Sequence, residues 1–208
     1  TSDNGPWLSY GDHAGSSGIY REGKGTCWEG GTRVSCIMRW PGHIPADTTS
    51  NAMLMTIDVL PTFAHLIGAN LPDHAIDGRD AWSIISGPPD AAPVHDFYAF
   101  YYANNQLQAI TSGDGRWKLI LPHQYRTLAG GPGGKDGIPV KYQQASITDP
   151  ELYDLYADPS ESKNLAASEP AELAKMEAYA ETMRRELGDS LQKRQGTGVR
   201  EPGHHTPH

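Results

Sequence analysis

Cysteine is scarce: Cys27 and Cys36 are the only two in 208 residues. Two cysteines exclude a disulfide framework and leave either one pair or two small, half-buried thiols. Long apolar runs are missing, and none approaches the ~18 residues that span a bilayer. No Lys/Arg cluster exists and the formal charge is -8, which excludes nucleic acid as the main partner. That charge does not exclude an anionic substrate, because one placed cation or metal reverses the field locally. Neither a Walker A loop nor a His-x-x-x-His pair with an acid is present. The start, Thr1-Ser2-Asp3-Asn4-Gly5, has no basic segment, no apolar stretch and no initiator Met. The chain is therefore expected to begin mid-protein, and its start does not indicate a compartment.

What is present is a globular composition, 38% hydrophobic and 20% charged, with 23 Gly and 16 Pro that call for long turns. Residues 1–33 are Gly-rich and read as loops. The run Val34-Ser35-Cys36-Ile37-Met38-Arg39-Trp40, closed by Pro41-Gly42, predicts a buried strand. A helix is expected from Asp58, whose side chain can cap it, with Pro61 in the first turn and Gly68 as a left-handed stop. Leu60, Phe63, Ala64 and Ile67 give that helix an apolar face. A short helix follows at 81–85, and the Gly/Pro-rich stretch 87–93 is the best boundary.

Beyond the boundary, residues 97–102, 107–111, 117–121 and 152–155 read as strands, with a hairpin turn at Asp114-Gly115. Residues 129–139 are expected to form a flexible surface loop. A last helix spans about 170–187, capped by Ser168, with Leu173, Met176, Ala180, Met183 and Leu187 on one face and a Glu181–Arg185 pair on another. It should lie across one face of a small antiparallel sheet. From 188 the chain reads as a flexible tail. The expected division is 1–90, 91–187 and 188–208.

Three stretches carry candidate chemistry. Adjacent Asp3 and Asn4 are ordinary turn formers, because both side chains bond nearby backbone. Their oxygens also suit a hard cation such as Ca²⁺, which needs about six to eight oxygen ligands, so most would come from elsewhere. Lys24 stands between Gly23 and Gly25 and can reach into a site, or simply be solvated. Glu29 and Arg33 are suited to hold that loop by a salt bridge. His13, in the lead-in to Lys24, is the one histidine assigned near a site. Tyr98, Tyr101, Tyr102 and Asn104 suit either a sugar-facing rim or the core.

The motifs Ser2-Asp3-Asn4-Gly5-Pro6-Trp7, Gly23-Lys24-Gly25-Thr26, Glu29-Gly30-Gly31, Arg33 and Arg39-Trp40-Pro41-Gly42 occur in that order. Asp58-Val59-Leu60-Pro61-Thr62, Asp77-Gly78, Leu152-Tyr153-Asp154-Leu155, Asp158-Pro159 and Asn164-Leu165 follow. This ordered set resembles the C-terminal half of the sulfatase family, of the arylsulfatase A and N-acetylgalactosamine-6-sulfatase type. Ser35 and Cys27 depart from the family pattern at positions that are not site residues.

The resemblance implies an α/β fold: the C-terminal part of an alkaline-phosphatase-like sandwich, then a small antiparallel β-sheet with one packed helix. It implies hydrolysis of a sulfate ester of an aryl group or sugar, with Asp3 and Asn4 as calcium ligands and Lys24 as a catalytic residue contacting the sulfate. His13 would be a second substrate contact. The family's nucleophile is a formylglycine made from a Cys-x-Pro-x-Arg motif, which neither cysteine here matches. That motif, with the remaining metal ligands, is expected in an N-terminal part of the same protein, so this chain alone is expected to be inactive. A periplasmic or secreted location goes with the resemblance. A phosphate or phosphonate ester hydrolase of the same fold, and a non-catalytic domain, are the competing expectations.

Overall fold

β-Branched and aromatic residues concentrate after residue 96, and so does the sheet. In the computed structural model, which describes residues 1–201, β1 (Phe97–Tyr102), β2 (Gln106–Ser112), β3 (Trp117–Ile120) and β6 (Glu151–Asp154) form one antiparallel sheet in the order β1-β2-β3-β6. Residues 202–208, with the adjacent His204 and His205, lie outside the description. Gly115, at φ 74°, makes the β2–β3 turn that Asp114-Gly115 foretold. The Ser112 hydroxyl donates to the Asp114 carboxylate over 2.5 Å and accepts the Trp117 N–H.

Alternation along β3 sends Leu119 to one face and Lys118 and Ile120 to the other. On the Leu119 face lies α4 (Pro170–Glu186), which buries Met176 and Ala180 completely against Leu107, Ile110, Leu119 and Leu152. Complete burial of a Leu or Met side chain contributes about 1.5–3 kcal/mol. The opposite face packs Ala109, Ile120 and Tyr153 around Trp28, which is wholly buried and comes from the Gly-rich first segment. A two-stranded ribbon, β4 (His123–Thr127) with β5 (Gln143–Ile147), closes this side. Its strands are too polar to stand out in the sequence.

Several expectations need correction. Ser168 does not cap α4: its hydroxyl donates to the Leu165 carbonyl, while Pro170 takes the first turn. Glu181 pairs with Arg184 and Arg194, each at 2.7 Å, rather than with Arg185. Arg184 wins because it is buried and also reaches the buried Asp189 at 3.1 Å. Residues 188–198 are not a loose tail. β7 (Gly188–Asp189) pairs with β8 (Arg194–Gln195), and Thr197 and Gly198 donate N–H groups to Arg185 and Glu186 carbonyls.

Residues 34–40 form no strand. They are irregular, and Ile37 is 90% exposed. A strand needs hydrogen-bonding neighbours, and among the described residues none stands beside this segment. The helix α2 (Val59–Ile67) ends at Gly68 in the left-handed region as expected, but its apolar face points outward: Leu60, Phe63 and Ile67 are exposed, while Pro61, Thr62 and Ala64 are buried. Asp58 does not cap it. The carboxylate instead takes the Arg79 and Met55 N–H groups and His95. A short helix, α3 (Trp82–Ser86), follows. No described helix is long and apolar enough to cross a membrane.

Candidate functional site

Asp3 and Asn4 occupy a bend, the first exposed and the second half-buried. The Ser2 hydroxyl lies 3.3 Å from the Asp3 carboxylate and 3.1 Å from the Asn4 carbonyl. Gly5 and Pro6 then run alongside the Lys24 segment: the Gly5 N–H donates to the Gly31 carbonyl and the Lys24 N–H to the Pro6 carbonyl, both at 2.9 Å. Gly23 is required by this approach, since a Cβ there would meet the Pro6 oxygen at 2.5 Å. The structure thus lays the Gly5–Pro6 stretch, which follows the Asp3–Asn4 bend, against the segment from Lys24 to Gly31. The Lys24 side chain is half-buried, with Nζ 5.4 Å from the centre of the Trp7 ring.

Asp3 and Asn4 fit Ca²⁺ in chemistry, as a hard carboxylate and a hard amide oxygen, and among the described residues Asp3 forms no ion pair. They are two of the about six to eight oxygens required. Among the described residues no group of three His, Cys, Asp or Glu side chains is placed to hold a metal. His13 ends a 3-10 segment (Leu8–His13) with its ring 3.8 Å from the Asp12 carboxylate and its side chain 59% exposed. It is not among the residues lining the cleft described next.

A cleft of about 410 Å³ is lined by Trp7, Ser9, Tyr10, Arg126, Lys141 and Tyr142 among others; Asp3, Asn4 and Lys24 do not line it, and Lys24 adjoins it through Trp7 and Arg126. The stretch 129–139, expected to be a flexible loop, is pinned to its rim. Gly134 and Val140 both donate N–H groups to the Ser9 carbonyl, and the Ser9 N–H donates to the Tyr142 hydroxyl. Glycine content signals turn geometry, and here the turns close onto Ser9. Arg126 lies over the Tyr142 ring at 4.7 Å and donates Nε–H to the Lys24 carbonyl at 3.0 Å. Tyr98 and Tyr101 do not form a rim. Tyr98 is buried and donates to the Met53 carbonyl; Tyr101 donates to the Gly188 carbonyl.

Behind the Lys24 loop lies a buried ion cluster. Glu29 opens α1 (Glu29–Thr32), and its carboxylate takes a hydrogen bond from Lys118 Nζ at 2.8 Å. Lys118 also lies 3.2 Å from Glu161, and both of these side chains are fully buried. The expected Glu29–Arg33 pair exists, at 3.5 Å, but is the weaker contact. Burial alone would pull the Lys118 ammonium down, yet Glu161 and Glu29 hold it above its ordinary value. Burial pushes the Glu161 carboxyl up, aided by the Glu29 charge. Against the same burial, Lys118 holds Glu29 below the usual carboxylate range.

Cys27 and Cys36 are unpaired, the first buried and the second exposed. His123 Nδ1 lies 2.6 Å from the Leu121 carbonyl and must donate to it, leaving Nε2 as an acceptor 3.6 Å from the Cys27 sulfur. Sequence reasoning missed Lys118, Arg126, Tyr142 and Glu161. A visible signal was Lys118 itself, a lone cation within the apolar run Trp117-Lys118-Leu119-Ile120-Leu121.

The chain resembles known proteins along most of its length. The model for the C-terminal region of N-sulphoglucosamine sulphohydrolase matches residues 18–127, and that for the C-terminal region of aryl-sulfatase matches residues 94–200. The chain is 38% identical to steryl-sulfatase of Mus musculus over 73% of its length and 25% of that protein. It is 33% identical to arylsulfatase A of Homo sapiens over 79% of its length and 32% of that protein. The chain therefore spans about a quarter to a third of the length of these relatives. A solved structure, from work on the metabolism of multiple glycosaminoglycans by Bacteroides thetaiotaomicron, superposes with a TM-score of 0.63 at 29% identity, covering 83% of this chain and 33% of that one. With two family models each matching half of its residues, the chain belongs to the sulfatase family and corresponds to that family's C-terminal region.

Proposed function

We propose that this chain is the C-terminal portion of a working sulfatase, which hydrolyses a sulfate ester when joined to an N-terminal portion carrying the formylglycine nucleophile. Residues 1–90 complete the catalytic domain, and residues 91–187 form the sheet that backs it. The observation that carries the reading is the bond from the Lys24 N–H to the carbonyl of Pro6, two residues beyond the Asp3–Asn4 bend. Lys24 supplies a compact ammonium to the sulfuryl oxygens and the departing oxygen as negative charge grows there. Asp3 and Asn4 hold one side of a calcium ion, and the ion, when bound, would add fixed positive charge to the same group. His13 is a second contact to the substrate.

The cleft beside Lys24 supports an aryl or sugar sulfate in particular. Trp7, Tyr10 and Tyr142 line it with aromatic rings, and Lys141, with Arg126 stacked on Tyr142, offers positive charge for a second anionic group. The reading is tested by expressing the 208-residue chain alone and joined to the catalytic portion, with 4-methylumbelliferyl sulfate as substrate. The chain alone should show no turnover. The joined protein should be active, should lose activity on calcium chelation, and should bind calcium more weakly as the Asp3→Ala variant. Turnover by the chain alone, or a joined protein that cleaves the phosphate ester and spares the sulfate, would overturn it.

A further inference from the structure

Lys24 stands between Gly23 and Gly25, the residue type least able to hold a backbone in place. A group that must meet developing charge needs placement to a fraction of an ångström. Besides the backbone bonds with Gly5 and Pro6, side chains of the C-terminal part hold this loop at three points. Ahead of Lys24, the Thr127 hydroxyl on β4 donates to the Glu22 carboxylate at 2.6 Å. At Lys24, Arg126 donates to the carbonyl through both Nε and Nη2. Behind it, Glu161 accepts the Glu29 N–H at 2.8 Å, while Lys118 Nζ bonds the Glu29 carboxylate at 2.8 Å and lies 3.2 Å from Glu161.

The third point stands apart because Lys118 and Glu161 are fully buried. A buried ammonium between two carboxylates is a poor source of stability, since apolar side chains of the same volume often do as well or better. What such a cluster provides is direction: a small set of contacts whose geometry is costly to change. The cluster joins three separated pieces, the Glu29-Gly30-Gly31 turn, strand β3 and the Asp158–Glu161 turn. Glu161 sits at φ 52°, a left-handed conformation that aims its carboxylate at the Glu29 amide.

We infer that Lys118, with Glu29 and Glu161, is a positioning device that sets where the Lys24 ammonium stands, so that the C-terminal sheet acts as a jig for the catalytic loop. This rests on the reading of Lys24 as the sulfate-contacting residue. Lys118 touches neither substrate nor metal; it acts through Glu29 and the loop.

The test is a double-mutant cycle in the complete sulfatase, with activity toward 4-methylumbelliferyl sulfate as one readout. Lys118→Met should lower kcat by about 10- to 100-fold with little change in KM, the scale of a small misplacement of a catalytic group. In a Lys24→Ala background the same substitution should cost less than about twofold, because the group it positions is gone. If Lys118→Met does not fold, Glu161→Gln keeps the side-chain length, removes one charge and takes its place. Additive losses in the two backgrounds would overturn the device. The second readout is amide exchange on the complete sulfatase. Residues 23–31 should lose protection in the Lys118 or Glu161 variant while residues 107–112 keep theirs; uniform loss marks a purely structural role and also overturns it. If Lys24→Ala keeps full activity, the reading of Lys24 fails and takes the device with it. Unchanged exchange at 23–31 with Lys24 still required would overturn the device alone.

Discussion

His95 Nε2 lies 2.7 Å from the Asp58 carboxylate, and this buried pair fastens the N-terminal stretch to the residues leading into β1. Asp58 also accepts the Arg79 N–H at 2.9 Å and the Met55 N–H at 3.1 Å. Asp58→Ala leaves two backbone donors and an imidazole without their acceptor, and should cost about 2–4 kcal/mol. Asp58→Asn should cost less, because one acceptor oxygen survives. Urea denaturation should show a lower midpoint at unchanged slope.

Lys24→Ala in the complete enzyme should lower kcat/KM by about 100-fold or more. Its effect on stability should stay within about 0.5 kcal/mol, since the side chain buries little apolar surface. Lys24→Arg should not restore activity, because a wide planar fork does not fit where a compact ammonium stood. Steady-state kinetics and thermal melts on the same preparations separate the two effects.

Only one of the two thiols should react in the native chain. Burial pushes the Cys27 thiol up to about 12, and its side chain is covered by the sheet, whereas Cys36 is exposed. A disulfide reagent such as DTNB should titrate one equivalent in buffer and two in denaturant. Cys36→Ser should abolish the native signal.

Burial holds the His123 imidazole below its ordinary value, so the folded chain binds its proton less readily than the unfolded chain. The stability His123 lends is therefore complete above about pH 6.5 and is lost as pH falls through the folded value. Histidine chemical shifts should place the His123 titration in the folded chain below that in the unfolded chain. His123→Gln should flatten the matching part of the stability profile, and an unaltered profile in that variant would count against the assignment.

Much of the C-terminal half was legible because its signals are local. The spacing of Met176 and Ala180 belongs to one helix, the alternation at Leu119 and Ile120 to one strand, and the Asp114-Gly115 turn to four residues. The ribbon β4–β5 was not legible. Gln143, Gln144 and Ser146 carry no strand pattern, and their pairing with β4 depends on the sheet beneath. At the site, Asp3, Asn4 and Lys24 were named by their place in an ordered series of motifs. Arg126, Tyr142 and Glu161 were not, because their role exists only once β4, the 129–139 stretch and the Asp158–Glu161 turn fold onto the Lys24 loop.

By itself the sequence determined periods, turns and residue chemistry: an apolar stripe on α4, a glycine-flanked lysine, two hard oxygens in a bend. Tertiary structure alone decided which of these would meet. The apolar segment 34–40 and the apolar face of α2 obey the same local rules as the buried elements, yet Ile37 and Ile67 stand exposed. The reason is that burial is a property of pairs of surfaces, and a local pattern specifies only one of them. Lys118 shows the converse. A lysine in an apolar strand is costly by local rules, and only the approach of Glu29 and Glu161 from distant parts of the chain makes its burial possible.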